Sequence, residues 1–532
     1  MFPRHLDMAL PYPSRRSPVL AANMVATSQP LAAQAGLAML AKGGNAVDAA
    51  VAAAMALTVV EPTGNGLGSD AFAILWDGKA LHGLNASGRS PAGWTPERFR
   101  GQRQMPELGW DSVTVPGAVS AWVALAHRFG RLPLPVLAEP AIRYARHGFL
   151  VSPLIAAMWR WAPERYGDQP GFAEAFLPGG RAPIAGGPFR NPAQAASLEL
   201  IAATAGETFY SGALAERMVA HARTHGGALC EEDLAGHTAD WVEPLAVPFA
   251  AAVVHELPPS GQGIATLQAL GMLEALGLDR PVDDPATLHL AIEATKLALA
   301  DLLEHVADPE HMPHPPAALL DPAYLARRAA LIDQHRAGDP AHGAPRPGGT
   351  VYLATADADG MLVSFIQSNY MGFGSGVVVP GTGIALQNRG AGFLLRPGHA
   401  NRVGPRKRPF HTIIPGFATT AEGAPLMAFG VMGGMMQAQG HVQLATRILA
   451  HGQNPQAAID APRWCVGGGR RVAVEATMPA ATRAALTALG HQVAVEDSAA
   501  FSLFGGAQAI LRVPGGYLGG SDPRKDGQTV GF

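Results

Sequence analysis

The stretch Gly348-Gly349-Thr350-Val351-Tyr352-Leu353-Ala354-Thr355-Ala356-Asp357-Ala358-Asp359-Gly360 constrains the fold more than any other part of this chain. A Pro- and Gly-rich run, 341–349, delivers the backbone to Thr350. A β-pattern begins there, a tight Asp-Ala-Asp-Gly turn follows, and a second β-pattern runs over 361–368. Thr350 therefore stands where a loop becomes a rigid strand. One reading is a β-branched residue that opens a hairpin. The other is a nucleophile: once the peptide bond before it is cut, its hydroxyl attacks and its new α-amino group is the adjacent base. Spacing alone leaves both open.

The rest of the chain narrows the classes. Its 532 residues are 48% hydrophobic and 15% charged, enough for a large globular core. A net charge of -3 carries no electrostatic footprint for nucleic acid or a polybasic membrane contact, so neither is expected as a partner. Cys230 and Cys465 exclude a disulfide scaffold and a CxxC knuckle, and leave a single bridge open. The first 18 residues contain no apolar h-region, and no window approaches an unbroken apolar span, so a cytoplasmic protein without a membrane segment is expected. His305, His311 and His314 fall in a Pro-rich loop without HExxH spacing, and no metal is assigned to them. No phosphate loop and no GxSxG elbow occur, and no cofactor is expected.

Taken in order, the periodicities predict a strand over 24–28 and helices over 31–42 and 46–60, the second apolar on all sides and hence inside a core. The glycine-dense turn Gly64-Asn65-Gly66-Leu67-Gly68-Ser69-Asp70 follows that helix and precedes a strand, 71–76. This is the reverse of a dinucleotide loop, so either an anion cradle or close backbone packing remains. Strands over 80–84 and 113–116 and helices over 117–128, 136–147, 206–226 and 264–276 are predicted next. Arg89, in a small-residue turn, is either a carboxylate clamp or a solvated arginine. Past Thr350, short glycine-bounded strands (376–379, 383–387, 427–430) precede a helix over 437–452. The sum is an α/β chain, a layered core with antiparallel sheets.

The order of signatures resembles the γ-glutamyltranspeptidase family of N-terminal-nucleophile (Ntn) hydrolases. The resemblance rests on Gly43-Gly44-Asn45-Ala46-Val47-Asp48-Ala49-Ala50, Val115-Pro116-Gly117, Glu231-Asp233-Leu234, Pro258-Pro259-Ser260, Thr350, Gly374-Ser375-Gly376-Val377, Gly383-Ile384, Lys407-Arg408-Pro409 and Gly433-Gly434. It implies a four-layer αββα sandwich made as one precursor and cut autocatalytically between Gly349 and Thr350. The products are a large segment, 1–349, and a small segment, 350–532, that stay associated, with a homodimer of that pair left open. It further implies Thr350 as nucleophile, Ser368 as the assisting hydroxyl, and Gly433 and Gly434 as oxyanion donors through their backbone N–H groups.

At the substrate end the chain departs from the family pattern. The acid that holds a substrate ammonium falls at Gly392, a family Gln becomes Arg389, and a serine pair becomes His411-Thr412. The carboxylate-binding arginine aligns with Ser87, with Arg89 two residues on, and a substrate-binding Asn aligns with Tyr370, with Asn369 beside it. Losing an anion and gaining a cation favours an acyl group that carries only a carboxylate. The resemblance then points to a small-molecule amidohydrolase or acyltransferase of the branch containing glutaryl-type cephalosporin acylases and oxamate amidohydrolase. The alternatives are a glutathione hydrolase or γ-glutamyltransferase, and an unprocessed binding homologue.

Overall fold

The computed structural model describes residues 15–340, 349–496 and 503–532; Gly348 and the run before it lie outside them. Two seven-stranded antiparallel sheets form the centre of the described residues. The first runs, in spatial order, Gln528–Gly531, Met24–Thr27, Gly349–Ala356, Leu362–Tyr370, Asp70–Trp76, Leu81–Asn85, Asp240–Val242. The second runs Val19–Ala21, Gly516–Ser521, Gly506–Val513, Pro425–Met432, Gly416–Thr420, Ala252–Glu256, Leu245–Phe249.

Side-chain alternation along the strands makes the layers. Tyr352, Ala354, Ile366, Phe72 and Ile74 of the first sheet pack against Phe417, Ala428, Met432 and Ile510 of the second. Val351, Leu353, Val363 and Phe365 point the other way, into a cluster with the wholly buried helix Ala46–Val60. On the far side, Val254, Met427, Phe429 and Val431 meet helices Gly263–Leu276, Pro285–His305 and Met436–Ala445. The four-layer αββα sandwich is therefore present. Among the described residues no helix is long and apolar enough to cross a membrane.

The hairpin holds as read. Its turn is fixed by Asp357, whose carboxylate accepts the N–H groups of Asp359 and Met361 and, on its other oxygen, that of Ala46 at 2.9 Å. One side chain thus ties the turn to the first residue of the buried helix, whose N-cap Asn45 and Asp48 form a reciprocal capping box. The glycine-dense turn is a close-packing device: a Cβ on Gly68 would lie 2.5 Å from the Ala385 carbonyl, and one on Gly64 would lie 3.2 Å from the Thr350 nitrogen.

Some elements differ from expectation. Residues 113–116 are not a strand: Val115 crosses Gly88 so closely that a Cβ there would fall 1.6 Å from the Val115 oxygen, which leaves no room for a ladder. The helix expected over 206–226 is two, Glu207–Ser211 and Ala213–Thr224, because Gly212 is extended. The strands expected at 376–379 and 383–387 shrink to the pair Val378–Val379 and Ile384–Ala385.

Candidate active site

Thr350 lies at an irregularity in the hairpin. Gly349 pairs with Tyr370 and Val351 pairs with Gln367, so Ser368 and Asn369 together oppose Thr350. This bulge turns the Thr350 and Ser368 hydroxyls toward one another at 3.1 Å. Both hydroxyls donate to the Gly349 carbonyl oxygen, Thr350 at 2.7 Å and Ser368 at 2.6 Å. Each also accepts one N–H, Ser368 from the Tyr370 backbone at 2.8 Å and Thr350 from the Gln437 amide at 3.4 Å. Among the described residues neither hydroxyl is bonded to an ionisable side chain. The carbonyl to be attacked is thus polarised by neutral groups. The base for later turnovers has to be the α-amine that cleavage releases.

Gly433 and Gly434 leave the strand Pro425–Met432 with φ of 130° and 62°, values that disfavour any side chain. The Gly434 carbonyl is tied back by Gln262, whose amide donates to it at 2.8 Å and also to the Thr412 carbonyl. That carbonyl belongs to the peptide joining Gly434 to Met435, so Gln262 fixes the direction of the Met435 N–H. Gln262 sits just after Pro258-Pro259-Ser260, where the sequence showed a family signature but gave Gln262 no role. It is a site residue that sequence reasoning missed.

A second cluster joins the first through this bridge and through Tyr370. Arg389 is fully buried, its guanidinium 4.3 Å from the Tyr370 ring centroid, and it donates to Thr412 Oγ1 at 2.8 Å. Its Nε lies 4.0 Å from Asp70 Oδ2, while Nε and Nη2 have no hydrogen-bond partner. His411 Nδ1 accepts from Ile413, so Nε2 carries the proton and donates to Asp70 Oδ2 at 3.1 Å. Burial, then the positive charges of Arg389 and Arg408, push His411 well below the ordinary imidazole range and keep it neutral. Burial pushes the Asp70 carboxyl up to about 7, against the pull of Arg389 and of the Gly88 and Gly117 N–H groups. It also lowers Arg389 to about 10. Asp70 closes the glycine-dense turn, and nothing local in the sequence marks it as a partner of Arg389.

The structure therefore brings Arg389, His411 and Thr412 together, sets Asn369 beside Ser368 opposite Thr350, and turns Arg89 toward other partners. The Arg89 guanidinium is one-third exposed and pairs with Asp308 at 3.3 Å and Glu310 at 3.7 Å. Beside Ser87 stands Arg408 instead, donating to the Ser87 carbonyl at 3.0 Å and pairing with Asp240 at 2.7 Å. Asn369 accepts from Ser69 and braces the glycine-dense turn, with its own NH2 unpartnered. At Gly392 a Cβ would lie 2.5 Å from the Phe410 carbonyl, so no acidic side chain fits without a backbone shift.

His289, Glu293 and His491 lie close enough together to suggest a metal site. Their ligand atoms are already engaged. His289 Nε2 donates to the Asp333 carbonyl at 2.8 Å, His289 Nδ1 then accepts from His491 Nε2 at 2.8 Å, and Lys296 Nζ sits 2.8 Å from Glu293 Oε1. An ammonium occupies the place a cation would take. Of the Pro-rich-loop histidines, His305 and His314 stand 6.1 Å apart by ring centroid and His311 is exposed.

The family model described as gamma-glutamyltranspeptidase matches residues 32–532. The chain is 39% identical over 518 residues to the oxamate amidohydrolase proenzyme of Klebsiella pneumoniae subsp. pneumoniae, covering 94% of this chain and 97% of the relative. It is 38% identical over 519 residues to a glutathione hydrolase-like proenzyme of Bacillus subtilis, covering 96% and 98%. A crystal structure of cephalosporin acylase from Bacillus halodurans superposes with a TM-score of 0.94 at 48% identity, over 100% of this chain and 99% of that one. With the threonine at the head of the hairpin, the paired hydroxyls and the two-glycine turn in place, this chain belongs to the γ-glutamyltranspeptidase family, as a self-processing Ntn hydrolase.

Proposed function

We propose that the chain is an amidohydrolase for a small acyl group bearing one carboxylate, glutaryl-like or oxamate-like, held by Arg389 and transferred to Thr350. The observation that carries this reading is the buried guanidinium with two unpartnered nitrogens, Nε and Nη2. A buried charge with unused donors is costly unless something arrives to use them, and a carboxylate matches the guanidinium fork. The carboxylate paired with it among the described residues, Asp70, is shared with His411 and so is not free for a substrate ammonium. The names of the relatives, oxamate amidohydrolase and cephalosporin acylase, fit the same class.

In the precursor, Thr350 Oγ adds to the Gly349 carbonyl carbon, its proton passes to the Thr350 nitrogen, and the C–N bond breaks to leave an ester that water opens. In turnover the freed amine takes the hydroxyl proton, the acyl group moves to Oγ, and the amine product leaves before water releases the acid. The two segments, 1–349 and 350–532, remain associated in this reading, supported by their shared sheets; a homodimer of the pair is compatible with it. Amides of glutarate, oxalate and γ-glutamate at equal concentration test the assignment. Preference for the first two supports it, and a strong preference for the γ-glutamyl amide overturns it.

A further inference from the structure

We infer that Gln437 is a further catalytic residue, a neutral donor that stabilises the Thr350 oxygen whenever that oxygen carries charge. The inference rests on Thr350 as the acylated nucleophile. Gln437 is fully buried in the first turn of helix Met436–Ala445. Its orientation is not free: Oε1 accepts the Ile414 N–H at 3.1 Å, which leaves Nε2 as the end facing Thr350 Oγ at 3.4 Å. Its own backbone N–H is held by the Gly434 carbonyl. The turn that follows Gly433 and Gly434 thus presents a side-chain N–H to Thr350 Oγ.

The chemistry needs a donor there. When water adds to the threonine ester and the C–Oγ bond breaks, the electron pair collapses onto Thr350 Oγ, which then takes a proton from its own α-ammonium. Until that proton arrives the oxygen is anionic in a buried site, where one fixed donor has a large effect on rate. In self-cleavage the same oxygen sheds its proton as it bonds to the Gly349 carbon. A carboxamide does not titrate, so its assistance is independent of pH and of the acyl group's charge.

The test uses Gln437→Glu and Gln437→Met in the full-length chain. Glu keeps the acceptor for Ile414 and the side-chain length but has no N–H. Self-cleavage is followed on denaturing gels. The kcat and KM are measured on a glutaryl amide and on a neutral acyl amide, and intact mass of the 350–532 segment reads the acyl-threonine. The expected result is that both variants fold, cut themselves slowly and lose roughly 10²-fold or more in kcat for both substrates, the range seen for loss of one such donor, with KM falling as deacylation becomes limiting. Acyl-threonine is expected to accumulate. Wild-type rates in either folded variant overturn the assignment. Recovery by Glu that persists at pH values where its carboxyl is ionised overturns it too, because it reduces Gln437 to its bond with Ile414. If neither variant folds, Gln437 belongs to the fold and not to the chemistry. None of these results touches the nucleophile itself, which fails separately if Thr350→Ala is still cut at Gly349.

Discussion

Around Thr350 the hydrogen bonds among the described residues come from hydroxyls, a carboxamide and peptide groups; around Asp70 a carboxylate, a guanidinium and an imidazole share a space closed to solvent. The first region stays uncharged until its own peptide bond breaks, so the precursor folds with no buried base waiting at the scissile carbonyl. The second carries charge from the outset. In the proposed function its recognition power comes from a guanidinium whose donors are only partly satisfied by the protein. The contrast separates what the protein does, which depends on neutral geometry, from what it selects, which depends on the balance of two buried charges.

The sharpest way to break this comparison is Thr350→Ala. The variant is expected to remain one chain on a denaturing gel and to lose all measurable turnover. Cleavage of the mutant between the same two residues would remove the neutral triangle from the mechanism.

Arg389→Gln comes next. Hydrogen bonds to a charged group contribute about 1.5–3 kcal/mol, so kcat/KM for a carboxylate-bearing acyl amide should fall by about 10–150-fold, mostly through KM. Neutral acyl amides should change little. An equal loss on both would mean that Arg389 supports the fold and does not read the substrate.

Gly392→Asp tests whether the missing acid can simply be put back. A Cβ against the Phe410 carbonyl forces the backbone to move, which costs about 1–3 kcal/mol. The variant should therefore melt earlier without gaining γ-glutamyl hydrolysis. Normal stability together with new γ-glutamyl activity would show that the recognition end is one substitution from the family pattern.

A gentler probe is pH. The Asp70 carboxyl is raised by burial from its ordinary 3.8 to about 7, so the folded protein holds this proton longer than the unfolded chain does. Its contribution to stability is full below the unfolded value and is lost as pH rises from about 4 to 7. An ionised Asp70 also competes for Arg389. The KM for an anionic acyl group should therefore rise a few-fold above pH about 7, and Asp70→Asn should flatten both profiles. An unchanged inflection in that variant would assign it to another group, such as the Thr350 amine.

The smallest effect is expected from Arg89→Ala. Its ion pair is partly exposed and screened, a class worth about 0–1 kcal/mol, and Asp308 keeps the Arg408 N–H as a partner. Activity within about twofold of wild type is the expected outcome. A large rise in KM would place Arg89 in the substrate site after all.

How much of this was legible in the sequence follows from the range of each interaction. The hairpin and the buried helix 46–60 were readable because strand alternation, an Asp-Gly turn and an Asn N-cap are local signals. Asp70 was not, because the turn that contains it reads equally well as packing. Its role exists only once the sheet brings the turn under Arg389 and His411. Arg89 illustrates the opposite limit, since both of its readings were open in the sequence. Its neighbours in sequence put it near Ser87, yet its side chain swings to Asp308, and Arg408 from a remote loop takes the place beside Ser87. Gln437 was read only as the start of a helix. A glutamine there carries no periodic signal, and its meaning comes from Ile414 fixing which end faces the nucleophile.

The strand that begins at Gly349 lies between Met24–Thr27 and Leu362–Tyr370, and the latter lies against Asp70–Trp76. The segment after the cut is thus threaded between strands that precede it, in a sheet laid down while the chain was continuous. Scission therefore erases part of the folding instructions and leaves the folded product intact. The mature protein is expected to be kinetically rather than thermodynamically secure, long-lived once made and unable to regain its shape after full denaturation as readily as the uncut Thr350→Ala chain.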